Sequence, residues 1–168
     1  MGLRSDHAVG RSYGLRGQTP VIAGTGKRFG CNMISAITNL GHLNFMVFKE
    51  RFEAAVFLEF LRRLVRQSSR KVYLIVDRHP VHRSRKVKNW LEENAQQLRL
   101  FFLPGYSPEL NPDEMLNQDV KSNAVGRKRA GDQEELLRSV RSFLRRRQLQ
   151  PHIVARYFWE KHVRYAAA

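Results

Sequence analysis

Two carboxylates stand where an α/β protein places groups that do chemistry, and the first of them is Asp77. It directly follows the apolar run Val72–Val76, which is typical of a strand covered on both faces. Ligand sites in open α/β sheets lie beyond the carboxyl ends of the strands, so Asp77 is a candidate catalytic carboxylate. The alternative is a strand-end Asp that begins a turn or caps the next helix.

Glu114 is the second candidate. Asn111 and Pro112 predict the start of a helix, with Glu114 in its first turn beside the strand that ends at Asp77. Two such carboxylates can bind divalent cations through oxygen, and a pair of metal ions ~3.5–4 Å apart supports phosphodiester chemistry. Alternatively, Glu114 could reach back to complete a capping box. Asp113 is predicted to face away from Glu114 on this helix.

Histidines and basic residues follow Asp77 closely. His79 and His82 lack a third ligand for a zinc site, so we predict that they orient the Asp77 loop by hydrogen bonds. The basic run after them either holds phosphate near the carboxylates or forms an exposed helix start. The candidate nucleic-acid-binding residues are Arg83, Arg85, Lys86, Lys88, Lys121, Arg127, Lys128 and Arg129.

The elements that must position these groups alternate between strands and helices. A hairpin is predicted from the strands 32–38 and 43–48, and a helix over 52–67 from apolar residues spaced by three and four. The further predicted elements are strands 72–76 and 98–103, helices 84–94, 132–148 and 151–162, and a helix that begins near Asn111. This order predicts one α/β domain with helices packed on a sheet.

The composition narrows the class of protein. The chain has 168 residues, of which 42% are hydrophobic, and this argues against intrinsic disorder. No apolar run approaches the ~20 residues of a membrane span. A lone cysteine, Cys31, excludes an internal disulfide and is predicted to be buried in a reducing compartment. The net charge of +15 indicates a soluble intracellular protein with a polyanionic partner.

Two stretches resemble the catalytic domain of DDE-type insertion-sequence transposases of the mariner-like superfamily. They are VYLIVDRHPVH at 72–82 and FFLPGYSPELNPDE at 101–114, and the resemblance extends from about Arg4 to Tyr165. It implies an α/β fold with a ribonuclease-H-like mixed sheet flanked by helices. It also implies a DDE triad that binds Mg²⁺ or Mn²⁺, in which Asp77 is the second acidic residue and Glu114 the third.

The resemblance implies an activity and partners as well. Such enzymes nick DNA at transposon ends with a metal-activated water and join the freed 3′-hydroxyl to target DNA. The implied partners are double-stranded DNA, both transposon ends and target, and either further copies of the chain or an intact transposase in a mixed oligomer. The implied location is the cytoplasm of a prokaryote, in association with the nucleoid.

The chain also departs from the family pattern. The family's first Asp precedes a Gly equivalent to Gly2, so the first acidic residue, most of the first strand and an upstream helix-turn-helix region are expected to be absent from residues 1–168. Asp6 matches a downstream position and is not expected to substitute. Asn117 stands where an aromatic residue is usual, and Arg78 where a small one is common. We therefore predict weak metal binding and a chain that is catalytically inactive or nearly so.

Three other functions stay open on the sequence alone. A non-catalytic, basic DNA-binding remnant that interferes with an intact transposase would still bind DNA after Asp77→Ala and Glu114→Ala. A general metal-dependent nuclease of the same fold would cleave without preferring transposon ends. An RNA-binding protein would need surface aromatic residues to stack bases, whereas most Phe and Tyr residues fall on apolar faces.

Overall fold

The first three strands form an antiparallel sheet. A computed structural model describes residues 1–6, 16–18, 27–105, 107–126 and 130–167. Strands β1 (Gly2–Arg4), β2 (Gly30–Ile37) and β3 (Leu43–Phe48) lie in the order β1-β2-β3. The predicted hairpin of β2 and β3 is therefore confirmed, and Asn32 pairs with Phe48 at its open end.

The turn of this hairpin depends on Gly41. Its φ of +89° lies in the left-handed region, which favours glycine. A Cβ atom at this position would also come within 2.2 Å of the carbonyl oxygen of Pro151. The hairpin turn can therefore approach the C-terminal helices closely only because residue 41 has no side chain.

The second sheet contains two parallel strands. Strand β4 (Val72–Val76) is followed by a 3₁₀ turn (Pro80–Arg83) and an α-helix (Arg85–Glu93), and then by β5 (Leu98–Phe102). Both strands agree with the predicted ones. Among the described residues, β1 pairs with β2 alone and β4 with β5 alone, so no strand joins the two sheets.

Five α-helices pack on these strands in the described part of the chain. They are α1 (Ala54–Gln67), α2 (Arg85–Glu93), α3 (Asp113–Val120), α4 (Gln133–Gln148) and α5 (Pro151–Arg156). Helix α1 begins later than predicted because Phe52 packs outside it, with its ring 5.3 Å from that of His79. Helix α3 continues into a π-helical turn over Lys121–Val125. None of the described helices has the length and hydropathy needed to cross a membrane.

Helix α5 is shorter than the predicted helix over 151–162. It tightens into a 3₁₀ turn at Tyr157–Trp159, where Phe158 is buried and the Tyr157 hydroxyl donates to Asp119. Short 3₁₀ turns are frequent at the C-terminal ends of α-helices. The tertiary contacts of the two aromatic residues therefore override the helical pattern.

Two hydrophobic clusters lie on opposite faces of the antiparallel sheet. Leu3, Met33 and Val47 point to one face, where α3 and α4 cover them. Ile34 and Met46 point to the other face, towards α1. Cys31 belongs to the first cluster, as predicted, and burial raises the pKa of its thiol to about 11. The sheet is thus the middle layer of the domain and carries α3, which bears Glu114.

Strand β4 is covered on one face among the described residues, and the prediction of cover on both faces is wrong there. Val72 and Leu74 pack under α1, whereas Tyr73 and Ile75 remain 64% and 57% exposed. Tyr73 contacts Phe101 of β5, with 6.2 Å between ring centroids. An apolar run alone does not distinguish a strand with two covered faces from a strand with one, because neighbouring elements decide the second face.

Candidate active site

A tight hydrogen-bonded loop holds Asp77 at the end of β4. Its Oδ1 accepts a hydrogen bond from the His79 backbone N–H at 2.9 Å and lies 3.0 Å from His82 Nδ1. The same Nδ1 is 3.1 Å from the Asp77 carbonyl oxygen, and the His82 ring is buried against Phe57. The hydrogen bonds from His82 and His79 lower the pKa of Asp77 to about 2, so the carboxylate is ionised at neutral pH.

Two predictions for this segment are confirmed: the turn-forming contact of Asp77 and the orienting hydrogen bonds of the histidines. The bond to the His79 N–H is the turn-forming contact of a strand-end Asp, and the histidines orient the carboxylate as predicted. The side chain of Asp77 stays 63% exposed, so this local bonding leaves it accessible.

Glu114 lies in the first turn of α3. Asn111 caps this helix, because its Oδ1 accepts from the Asp113 N–H at 3.1 Å and its carbonyl accepts from the Glu114 N–H at 3.0 Å. The Glu114 carboxylate bonds forward along the helix, since its Oε1 accepts from Asn117 Nδ2 at 3.1 Å. This is not the reach back to Asn111 that a capping box requires.

Asp77 and Glu114 meet at one cavity between the two sheets. The cavity has a volume of about 590 Å³ and is lined by both residues together with Asp113, Asn117 and Lys121. The amino group of Met1 also lies there: burial lowers its pKa, and the charges of Asp113, Glu114 and Asp77 each raise it. A strand end and a helix start thus present carboxylates to the same space.

Asp113 lines this cavity and is half-buried. Ser35 Oγ of β2 lies 2.9 Å and 2.8 Å from its two carboxylate oxygens. Ser35, Asp113 and Glu114 all line the cavity. Burial, assisted by the nearby charge of Glu114, raises the pKa of Asp113 to about 6. This contact fixes the start of α3 on the antiparallel sheet.

We expect Asp113→Asn to stabilise the metal-free protein at alkaline pH. A raised folded-state pKa means that the stabilising contribution of Asp113 is full below its ordinary value of 3.8 and is lost as pH rises through about 6. Asn can still accept from Ser35 without carrying charge. The gain in the free energy of unfolding should be about 1–3 kcal/mol near pH 8 and should shrink towards pH 4.

Urea unfolding in EDTA at the two pH values measures this gain. Asp6→Asn is the matched control, because Asp6 forms an exposed ion pair with Arg28 at 3.5 Å and such pairs contribute little to stability. A variant Asp113→Asn that is destabilised equally at both pH values would contradict the assignment.

The other predicted site residues are spread over the surface. Lys121 lines the carboxylate cavity, whereas Arg83 and Lys88 lie at a separate cavity beside α2 and β5. Arg85 and Lys86 are exposed on α2. Arg127, Lys128 and Arg129 lie outside the described residues.

Sequence reasoning did not assign roles in the site to Ser35 and Asn117. The signal for Asn117 was a polar residue three positions after Glu114, where a helix brings side chains together. Nothing in the sequence around Ser35 pointed to its contact with Asp113, which is 78 positions away. Across the described residues, no group of three or more His, Cys, Asp or Glu side chains is arranged to hold a metal ion.

The sequence of the chain matches a known family. The model of the DDE superfamily endonuclease family matches residues 1–137, which is most of the chain. The chain belongs to the DDE endonuclease superfamily. It is also 27% identical over 139 residues to the insertion element IS630 uncharacterized 39 kDa protein of Shigella sonnei. That match covers 81% of this chain and 40% of the relative, so the chain spans less than half of the relative's length.

Solved structures of the Mos1 mariner transposase share the fold. The Mos1 paired-end complex with Mn matches 99% of this DDE-family chain at a TM-score of 0.66 and 18% identity, covering 54% of the Mos1 chain. The Mos1 strand transfer complex matches 95% at a TM-score of 0.58 and 22% identity, covering 50% of that chain. These similarities confirm the predicted ribonuclease-H-like α/β class.

Proposed function

We propose that this chain is the catalytic part of an enzyme that cleaves and joins DNA strands, with Asp77 and Glu114 as ligands of Mg²⁺ or Mn²⁺. The observation that carries the proposal is the meeting of these two carboxylates at one cavity. Membership of the DDE endonuclease superfamily supports it. The similar Mos1 structures include a strand transfer complex and paired-end complexes with Mn and with Mg.

The residues present suit a hard divalent cation. Carboxylate oxygens are the ligands that Mg²⁺ prefers, and His82 keeps Asp77 ionised while Asn117 orients Glu114. Metal ions held there would supply an activated water and stabilisation of the leaving oxygen in phosphodiester cleavage. The role of the protein is to hold two carboxylates, one after β4 and one on α3, at the same cavity.

We further infer that residues 1–168 alone bind the metal weakly and do not join DNA strands. Two carboxylates offset less of the cost of dehydrating Mg²⁺ than three do. The described strands also leave β4 without a partner on the side away from β5. The proposed partners are transposon ends and target DNA, in a homo-oligomer or a mixed oligomer with an intact transposase, at the bacterial nucleoid.

A calorimetric titration with Mn²⁺ tests the metal site. The unaltered chain should bind Mn²⁺ weakly, and the double variant Asp77→Asn, Glu114→Gln should bind none measurably, because both charged ligands are gone. Glu109→Gln is the matched control: Glu109 is exposed on the 3₁₀ turn before α3, so its replacement should leave the Mn²⁺ affinity unchanged. Equal affinity in the double variant and the unaltered chain would refute the site.

A second candidate is a DNA-binding module without catalysis. The observation that favours it is the outer face of α4, where Arg138, Arg145 and Arg146 are exposed. Arg138 and Arg146 line a shallow depression there together with Ser139 and Ser142, and hydroxyl and guanidinium groups are typical phosphate contacts. DNA binding that survives loss of both cavity carboxylates would support this candidate.

A further inference from the structure

We propose that Asn117 is a positioning residue of the metal site, which orients Glu114 through its amide nitrogen and accepts a hydrogen bond from metal-bound water at its amide oxygen. The inference rests on the function proposed above and assigns a role to a residue outside the pair of acidic ligands. It also explains a buried polar atom that has no partner in the described part of the chain.

The amide of Asn117 is bonded at one end alone. The residue is 6% exposed, and its Nδ2 donates to Glu114 Oε1 at 3.1 Å. Its Oδ1 is buried and has no hydrogen-bond partner among the residues that the structure describes. Buried polar side-chain atoms are bonded in the large majority of cases, since an unmade hydrogen bond costs free energy. A buried acceptor without a donor therefore indicates a partner that binds from outside the chain.

The place of Asn117 identifies that partner. Asn117 lines the same cavity as Asp77 and Glu114, with Lys121 one helical turn further along. Mg²⁺ and Mn²⁺ sites of this kind retain bound waters, which are strong hydrogen-bond donors. Groups that bond to a ligating carboxylate, here Glu114, also fix its orientation and raise metal affinity.

A second pair on the same helical segment provides the comparison. Asn123 Nδ2 donates to Asp119 Oδ1 at 2.7 Å, so it also pairs an amide with a carboxylate. The charge of Asp119 is neutralised by Arg147 of α4, so Asp119 lies where α3 packs against α4. Asn123 thus has the chemistry of Asn117, but it does not line the carboxylate cavity and has no buried unpartnered oxygen.

Two measurements on variants of the 168-residue chain test the proposal. Asn117→Leu should bind Mn²⁺ about tenfold more weakly by calorimetry, the lower end of the effect expected for such a supporting contact. Its Tm in EDTA should stay unchanged or rise, because a buried unbonded atom is replaced by an apolar group of similar size. Asn123→Leu should do the reverse, with unchanged Mn²⁺ affinity and a lower Tm.

A second variant covers the case in which leucine distorts the helix. Asn117→Asp places a carboxylate beside Glu114 that must lose a proton when Mn²⁺ binds, so affinity should rise more steeply with pH than in the unaltered chain. Unaltered Mn²⁺ affinity in Asn117→Leu, or an unchanged pH profile in Asn117→Asp, overturns the role of Asn117. If Glu114→Gln leaves Mn²⁺ affinity intact as well, the proposed metal site fails and this inference fails with it.

Discussion

Asp119→Ala is expected to lower the free energy of unfolding by about 3 kcal/mol, the lower end of the range for removing one partner of a buried ion pair, because this pair is partly buried. Asp119 accepts hydrogen bonds from Arg147 Nε at 2.6 Å, from Asn123 and from the Tyr157 hydroxyl. The side chains of Arg147 and Asp119 are 18% and 13% exposed. Removal of the carboxylate therefore leaves a guanidinium and a phenol without their shared acceptor.

This network joins three segments of the chain. Asp119 belongs to α3, Arg147 to the last turn of α4, and Tyr157 follows α5. Burial by itself would raise the pKa of Asp119, and the hydrogen bonds from Arg147 and Tyr157 lower it overall. The carboxylate is therefore charged in the folded protein at neutral pH.

Urea unfolding at neutral pH measures the loss, with Glu59→Ala as the matched control. Glu59 pairs with Arg63 at 2.9 Å on the surface of α1, and exposed pairs of this kind contribute about 0.3–0.5 kcal/mol. If Asp119→Ala costs no more than Glu59→Ala, the network does not hold the C-terminal helices in place.

DNA affinity is expected to fall by about a thousandfold between about 50 and 200 mM salt, as for a protein that contacts about six phosphates. The physical reason is the release of counterions from DNA by a chain of net charge +15. Residues 117–168 hold twelve basic and five acidic residues, and the exposed arginines of α4 belong to this segment. Fluorescence anisotropy with a labelled duplex at several salt concentrations measures the slope.

Variants separate the basic surface from the carboxylate cavity. Replacing Arg138, Arg145 and Arg146 by Ala should lower the slope by about one per lost phosphate contact. The variant Asp77→Ala, Glu114→Ala should keep the slope of the unaltered chain. Phosphate binding at α4 would be contradicted if the slope stayed the same in the arginine variant and changed in the carboxylate variant.

Local sequence patterns were sufficient to predict the strand and the helix that carry the two acidic residues. The alternation and turn residues of 32–48 predicted the hairpin, and the apolar run before Asp77 predicted β4. Asn111 and Pro112 predicted the start of α3 to within one residue. Each of these signals depends on residues that are close in the sequence, where backbone geometry alone decides the outcome.

Contacts between distant segments were beyond such reasoning. The bond between Ser35 and Asp113, the exposed outer face of β4 and the early end of α5 all depend on which element packs beside another. The aromatic residue expected at position 117 also gave no hint that an amide there would bond to Glu114. The sequence could nominate Asp77 and Glu114, but their shared cavity required the fold.

The separation of the two sheets has a mechanical consequence for that cavity. Asp77 follows β4 of the parallel sheet, whereas Glu114 belongs to α3, which the bond between Ser35 and Asp113 fastens to the antiparallel sheet. No backbone ladder among the described strands sets the gap between them, so side-chain packing alone sets its width. A cation bound by both carboxylates would connect the two sheets across the cavity. Metal binding would therefore make the domain more rigid.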